Sequence, residues 1–135
     1  MATCLIYEAT PSTSVVENNG VLPLTTLLRK RGCATLQGTN SVILTKAGYY
    51  EITATMTFTA PAIGTASVQA QLNGTNIVGA TASTSILTAN TEIRSLTINA
   101  ITRVFCNQEN AVLTLLNSGI AIATSNVSLS VIYLG

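Results

Sequence analysis

Between Tyr50 and Phe58 the chain alternates strictly. Tyr50, Ile52, Ala54, Met56 and Phe58 are apolar, and Glu51, Thr53, Thr55 and Thr57 between them are polar. A strand sends successive side chains to opposite faces, so this run forms a strand with one apolar face and one threonine-lined face. A helix would scatter both sets around its circumference. The period recurs from Ser67 to Leu72, where Val68, Ala70 and Leu72 oppose Ser67, Gln69 and Gln71. Asn73-Gly74 then supplies the two positive-φ residues of a tight hairpin, with Thr75 to Val78 returning. Ile93 to Val104 shifts its alternation once, from Ile93 to Leu96, Ile98 and Ala100, a slip that a β-bulge accommodates. Ala111 to Leu116 and Val127 to Leu134 complete the clear strands.

Further strands are expected at Thr3 to Glu8, Leu24 to Leu28, Cys33 to Leu36 and Val42 to Thr45. Turn signals separate them: Asn18-Asn19-Gly20, Gly38-Thr39-Asn40, Pro61 to Gly64, Asn117-Ser118-Gly119 and Thr124-Ser125-Asn126. Eight to ten short, regularly spaced strands without a helix predict an all-β chain, an antiparallel sandwich or jelly roll. The 135 residues fit one domain, 1–135, with N-terminal strands over about 1–32 and a core sandwich over about 33–135.

Charge narrows what such a sandwich can do. Charged residues are 8% of the chain, six positive and five negative, with no His and no Asp, against about a quarter in an ordinary soluble domain. With a net charge of +1, the surface repels its copies weakly, so an oligomer that hides much of it is expected. The balance argues against nucleic acid, which demands a basic face. No run approaches the apolar length of a membrane helix, and too few aromatics are present for the girdles of an outer-membrane barrel, so no membrane partner is expected. The N-terminus shows no signal-peptide pattern. Cys4, Cys33 and Cys106 have no CxxC spacing and read as reduced, small apolar residues; without His, no zinc site is expected.

The same absences bear on chemistry. Glu8, Glu17, Glu51, Glu92 and Glu109 are scattered without the spacing of a catalytic pair, and Ser–Lys chemistry through Lys46 has no support. The expectation is no enzyme and no cofactor. Asn73-Gly74-Thr75 and Asn126-Val127-Ser128 match a glycosylation pattern but read as a hairpin turn and a strand entry. Arg29-Lys30-Arg31 is the basic cluster, either a solvated strand end or a docking patch for an acidic neighbour. Tyr50 shares parity with the apolar face and belongs to the core, whereas Tyr49 faces the other way. Ile132 and Leu134 oppose Val131 and Tyr133 in parity.

The stretch Val42 to Phe58, VILTKAGYYEITATMTF, resembles the bacterial and phage branch of the tumour-necrosis-factor and complement globular-head superfamily. There a Gly-x-Tyr, here Gly48-Tyr49-Tyr50, leads the central strand. Leu72-Asn73-Gly74 with Ile77, then Val112 to Gly119, then Val127 to Leu134 follow in the family's order, and the resemblance covers roughly Cys33 to Gly135. It implies a ten-strand jelly roll that assembles as a compact homotrimer, its inner sheet packed toward the threefold axis. On that implication Tyr49, Thr53, Thr55, Thr57, Ile132 and Leu134 are the candidate trimer contacts. Lack of Asp argues against the calcium sites of some heads, and no collagen-like stalk is present. The N-terminal stretch YEATPSTSVVENNGVLPLTTLLRKRGC resembles the short phage type. The implied function is a structural protein on the virion surface, decorating or cementing the capsid or forming a head fibre, with the major capsid or another virion protein as partner. The alternatives are a receptor- or glycan-binding tip of a fibre or baseplate, and a bacterial surface head.

Overall fold

The computed structural model describes residues 5–10, 13–31, 34–38, 40–105 and 111–135. Among them are eleven strands and no helix: β1 (Leu5–Thr10), β2 (Ser14–Val16), β3 (Thr26–Arg31), β4 (Ala34–Gln37), β5 (Ser41–Leu44), β6 (Gly48–Thr59), β7 (Gly64–Leu72), β8 (Thr75–Ile86), β9 (Arg94–Val104), β10 (Ala111–Asn117) and β11 (Ile122–Tyr133). Cys4, Cys33, Cys106 and Glu109 lie outside the described residues, as does the expected strand start at Thr3.

Two antiparallel sheets result. The first runs β3-β1-β11-β6-β9, with β2 also paired to β11, and the second runs β4-β5-β10-β7-β8. The chain changes sheet between β6 and β7, returns between β8 and β9, and repeats the exchange around β10, which is the wrapping of a jelly roll. The alternation of β6 holds along its length: Tyr50, Ile52, Ala54, Met56 and Phe58 are buried, and the residues between them are not. Leu129 and Val131 of β11 join them from one side, Leu96 and Ile98 of β9 from the other, and Leu113 and Leu115 of β10 from the second sheet. Each large aliphatic or aromatic side chain taken from water contributes roughly 1.5–3 kcal/mol, and this interior drives the fold.

The Gly-x-Tyr motif has a physical reason. Gly48 sits at φ +139°, and a Cβ there would fall 2.6 Å from Cε1 of Tyr133. The Tyr133 ring therefore lies on bare backbone, its centroid 5.1 Å from that of Tyr50. Its hydroxyl donates to the Ala47 carbonyl at 2.8 Å, the Tyr50 hydroxyl donates to the Lys46 carbonyl at 2.6 Å, and the Lys46 ammonium stands 4.9 Å over the Tyr133 ring. The last residues of β11 are thus locked to the entry of β6.

Two turn signals separated by a hundred residues form one structure. Asn117 is fully buried, and its Nδ2 donates to the carbonyls of Val16, Glu17 and Ile120 while its Oδ1 accepts from the Gly119 N–H. The Asn18-Asn19-Gly20 turn closes on it through Asn19 N–H to Asn117 O and Asn117 N–H to Gly20 O. Gly119 lets this corner lie directly on β7, where a Cβ would meet the Thr65 carbonyl oxygen at 2.5 Å.

The structure corrects several sequence expectations. Ile93 precedes β9, and β9 pairs with β6 without interruption, so the expected bulge is absent and Ile93 is simply an exposed turn residue. Thr124-Ser125-Asn126 is no turn; it is a bulge inside β11, whose pairing with β6 skips one residue there. The strand expected at Leu24 to Leu28 begins two residues later and runs on to Arg31 as β3: Leu22 and Leu24 drop into the core ahead of it, and β3 follows the sheet edge with Leu27 and Leu28 exposed. β8 extends to Ile86, far beyond Val78, because its pairing with β7 resumes after an irregularity and continues to Gly64 opposite Ile86. Gln69 pairs with Thr81 and Gln71 with Asn76, leaving Ile77–Ala80 unpaired opposite Ala70, with Ile77 and Ala80 buried and Val78 and Gly79 exposed. Gln69 fills the gap, donating to the Ala70 and Ile77 carbonyls and accepting from the Thr81 hydroxyl.

Gly48→Ala is expected to cost roughly 1–3 kcal/mol, because the new methyl must displace the Tyr133 ring from a backbone conformation alanine resists. Asn117→Ala should cost about 2 kcal/mol or more by orphaning the buried carbonyls it serves. Urea unfolding measures both, and a change under about 0.5 kcal/mol in either would contradict the role assigned to that residue.

Candidate functional site

The surface that stands out is the outward face of the first sheet, assembled by register from five strands. One row runs Leu5, Ile132, Glu51, Ile101; the next Tyr7, Ser130, Thr53, Asn99; the next Ala9, Ser128, Thr55, Thr97. Thr57 and Ser95 continue it at the far end, their hydroxyls 3.0 Å apart. At the near end Tyr49 pairs with Arg103, and the Leu134 N–H donates to the Tyr49 carbonyl. Short hydroxyl side chains thus floor the centre, and larger apolar side chains gather at one end.

Those apolar side chains are exposed to a degree unusual for their size. Tyr7 is 39% exposed, Tyr49 46%, Ile101 59%, Ile132 40% and Leu134 53%. Single exposed apolar residues need no explanation, whereas a set of them on one sheet face makes that face the candidate contact surface. The floor is level because Thr, Ser, Asn and Ala project little beyond the backbone, so another surface can approach closely. By register, the charged residues of this face among the described residues are Glu51, Arg103 and, on the edge strand β3, Arg29 opposite Tyr7 and Arg31 opposite Leu5.

Arg103 is held between two rings. Its guanidinium carbon lies 5.4 Å from the Tyr49 centroid and 4.5 Å from that of Phe105. Both distances are within the range of a cation–π contact, which favours holding the guanidinium at this place. Beside it a groove of about 440 Å³ opens at the edge of the sandwich, lined by Leu72, Ile77, Val78, Ile101 and Phe105. Val78, thrust out by the β8 bulge, is 97% exposed.

The candidate residues fall into two groups. Tyr49, Thr53, Thr55, Thr57, Ile132 and Leu134 all stand on this one face, with the threonines half-buried. Arg29, Lys30 and Arg31 occupy β3, the edge strand, opposite Tyr7, Ile6 and Leu5. Basic residues on an edge strand also discourage pairing with a further strand. Sequence reasoning missed Leu5, Tyr7, Ser128, Ser130, Asn99, Ile101 and Arg103. For β9 the signal was present, since inward Leu96 and Ile98 require outward Thr97, Asn99 and Ile101. Among the described residues no three His, Cys, Asp or Glu side chains gather where a metal could be held.

The sequence matches no protein-family model and no curated protein. The fold, in contrast, has many likenesses among solved structures. Eiger TNF from S. frugiperda superposes with a TM-score of 0.72 at 12% identity, covering 99% of this chain and 92% of that one. The globular domain of the zebrafish complement 1qA protein gives 0.67 at 7% identity, with 94% of each chain covered. The PRD1 vertex protein P5 gives 0.59 at 12% identity, covering all of this chain and 99% of that one. The chain has the TNF and complement-head jelly roll.

Proposed function

We propose that the chain is a non-enzymatic structural protein that assembles as a homotrimer through the outward face of its first sheet and sits on the surface of a bacteriophage particle, decorating or cementing the capsid or forming part of a head fibre. The observation that carries the self-association is the composition of that face: exposed Tyr49, Ile101, Ile132 and Leu134 beside a floor of hydroxyls. Apolar area of this kind is stabilising only when covered, and a chain with so few charges has little else to keep copies apart. The groove beside Arg103 offers the neighbouring copy an apolar slot with a fixed cation at its rim. Likeness to the PRD1 vertex protein supports the particle surface as its place, as does the short phage-type N-terminal stretch. Arg29, Lys30 and Arg31 on the exposed β3 edge are the contact offered to an acidic virion protein.

The test substitutes charge into the face. Thr55→Asp and Ile132→Asp each bury a carboxylate without a partner if copies cover the sheet, a cost of several kcal/mol per subunit. In sedimentation experiments the parent chain and the exposed-loop variant Ile63→Asp are expected at the mass of three chains, and both face variants at the mass of one. Retention of the parent mass by both face variants, or a monomeric parent chain, contradicts the reading. Lys30→Glu, at the one position of the cluster that lies opposite inward Ile6 and so off the trimer face, is expected to weaken co-sedimentation with phage capsids while leaving the trimer intact. Undiminished capsid binding would remove the docking role of the cluster.

A further inference from the structure

Glu8 lies where a carboxylate is costly. On β1 it alternates with Ile6 and Thr10 toward the space between the sheets, opposite Leu129 of β11, and it has no exposed surface. Among the described residues neither of its oxygens has a hydrogen-bond partner. An ionised carboxylate so placed is uncompensated, whereas the neutral acid is tolerated. Burial accordingly pushes its pKa up to about 7 from an ordinary 4.5.

The surroundings offer relief in one direction only. β11 carries no ionisable side chain except Tyr133, beyond Ile132 and therefore at the far end of the pairing. β4 and β5 contribute none in sequence, nor does the Leu22–Leu24 segment. β3 carries Arg29, Lys30 and Arg31, and Lys30 stands opposite Ile6, on the same side of the sheet as Glu8. β3 is also the weakest-held neighbour. It is an edge strand, its Thr26–Lys30 side chains are all exposed, and its ladder with β1 slips between Tyr7 and Glu8.

We propose that β3 is a proton-controlled latch, closed over β1 while Glu8 is protonated and opened at the bulge when Glu8 ionises, so that the carboxylate reaches water and the cations of β3. The sign follows from the two proton affinities. With β3 open, Glu8 titrates at its ordinary value; with β3 closed, it holds its proton up to about 7. The closed state is therefore fully favoured below pH 4.5, loses ground as pH rises to about 7, and changes little beyond that. Between about pH 5.5 and about pH 8.5 the opening equilibrium shifts roughly 30-fold. On the reading of Arg29–Arg31 as a docking patch, the latch also sets how firmly that patch is presented. The exchange test below is independent of that reading.

Amide hydrogen exchange of the full chain, corrected for intrinsic rates, tests the latch at the two pH values. Protection of the β1–β3 ladder is expected to fall roughly 30-fold on going to the higher pH, with the β6–β9 ladder unchanged. Glu8→Gln and Glu8→Met, which cannot ionise, should both show equal protection at the two values. The proposal is overturned if β1–β3 protection in the parent chain is the same at both, or if either folded variant shows the same fall.

Discussion

The antiparallel pairing of β6 with β11 decides which side chains this protein hides and which it shows. A strand has a side-chain period of two, so a slip of one residue would turn Ile52, Met56 and Phe58 outward and bury the threonines. Register is held at one end by the Tyr133 ring on bare Gly48, with both tyrosine hydroxyls tied to the carbonyls just before β6. At the other end the β11 bulge at Thr124–Asn126 absorbs the extra residue and restores parity. Burial of Leu129 and Val131, and the outward placement of Ser128, Ser130 and Ile132, both follow from this arrangement.

The same parity produces the outward face proposed for self-association. Because β6 and β9 pair without a break, every outward residue of one meets an outward residue of the other, and small hydroxyl side chains line up across strands. The apolar end of the face, from Tyr49 through Ile101 and Ile132 to Leu134, is thus a product of register rather than of any local motif. The low charge count of the chain and the small side chains at the centre of the face act in the same direction, since weak repulsion and short side chains both lower the cost of bringing another surface close. Glu8 is the exception within the interior, and its place beside an edge strand gives its ionisation a way out.

Much of the fold was legible because it rests on alternation and turn chemistry, which are local. β6, the Asn73-Gly74 hairpin, β10 and the later part of β11 stand where the pattern puts them. What escaped was long-range. The bulge in β8 depends on Gln69 replacing ladder bonds with its own amide, and no residue pattern around Gly79 announces that. The bulge in β11 reads as a turn because Thr-Ser-Asn satisfies either role. Asn18–Gly20 and Asn117–Gly119 were each visible as turns, but their union through a buried Asn117 is a tertiary fact. Burial of Glu8 was hidden for the same reason, since β1 becomes interior only when β3 lines its free side. Of the candidate contacts, the β6 and β11 residues were readable from parity, whereas Leu5, Tyr7 and Arg103 needed the strand order of the sheet.

Coverage of the outward face of the first sheet by further copies of the chain can be read in solution by hydroxyl-radical footprinting. Tyr49, Ile101, Ile132 and Leu134 are between 40% and 59% exposed in the single chain, while the loop residues Ile63 and Leu87 are 67% and 75% exposed. If copies cover the face, the four face residues are labelled far less than those exposures allow, while Ile63 and Leu87 are labelled freely. Labelling of all six in proportion to their single-chain exposure would contradict it.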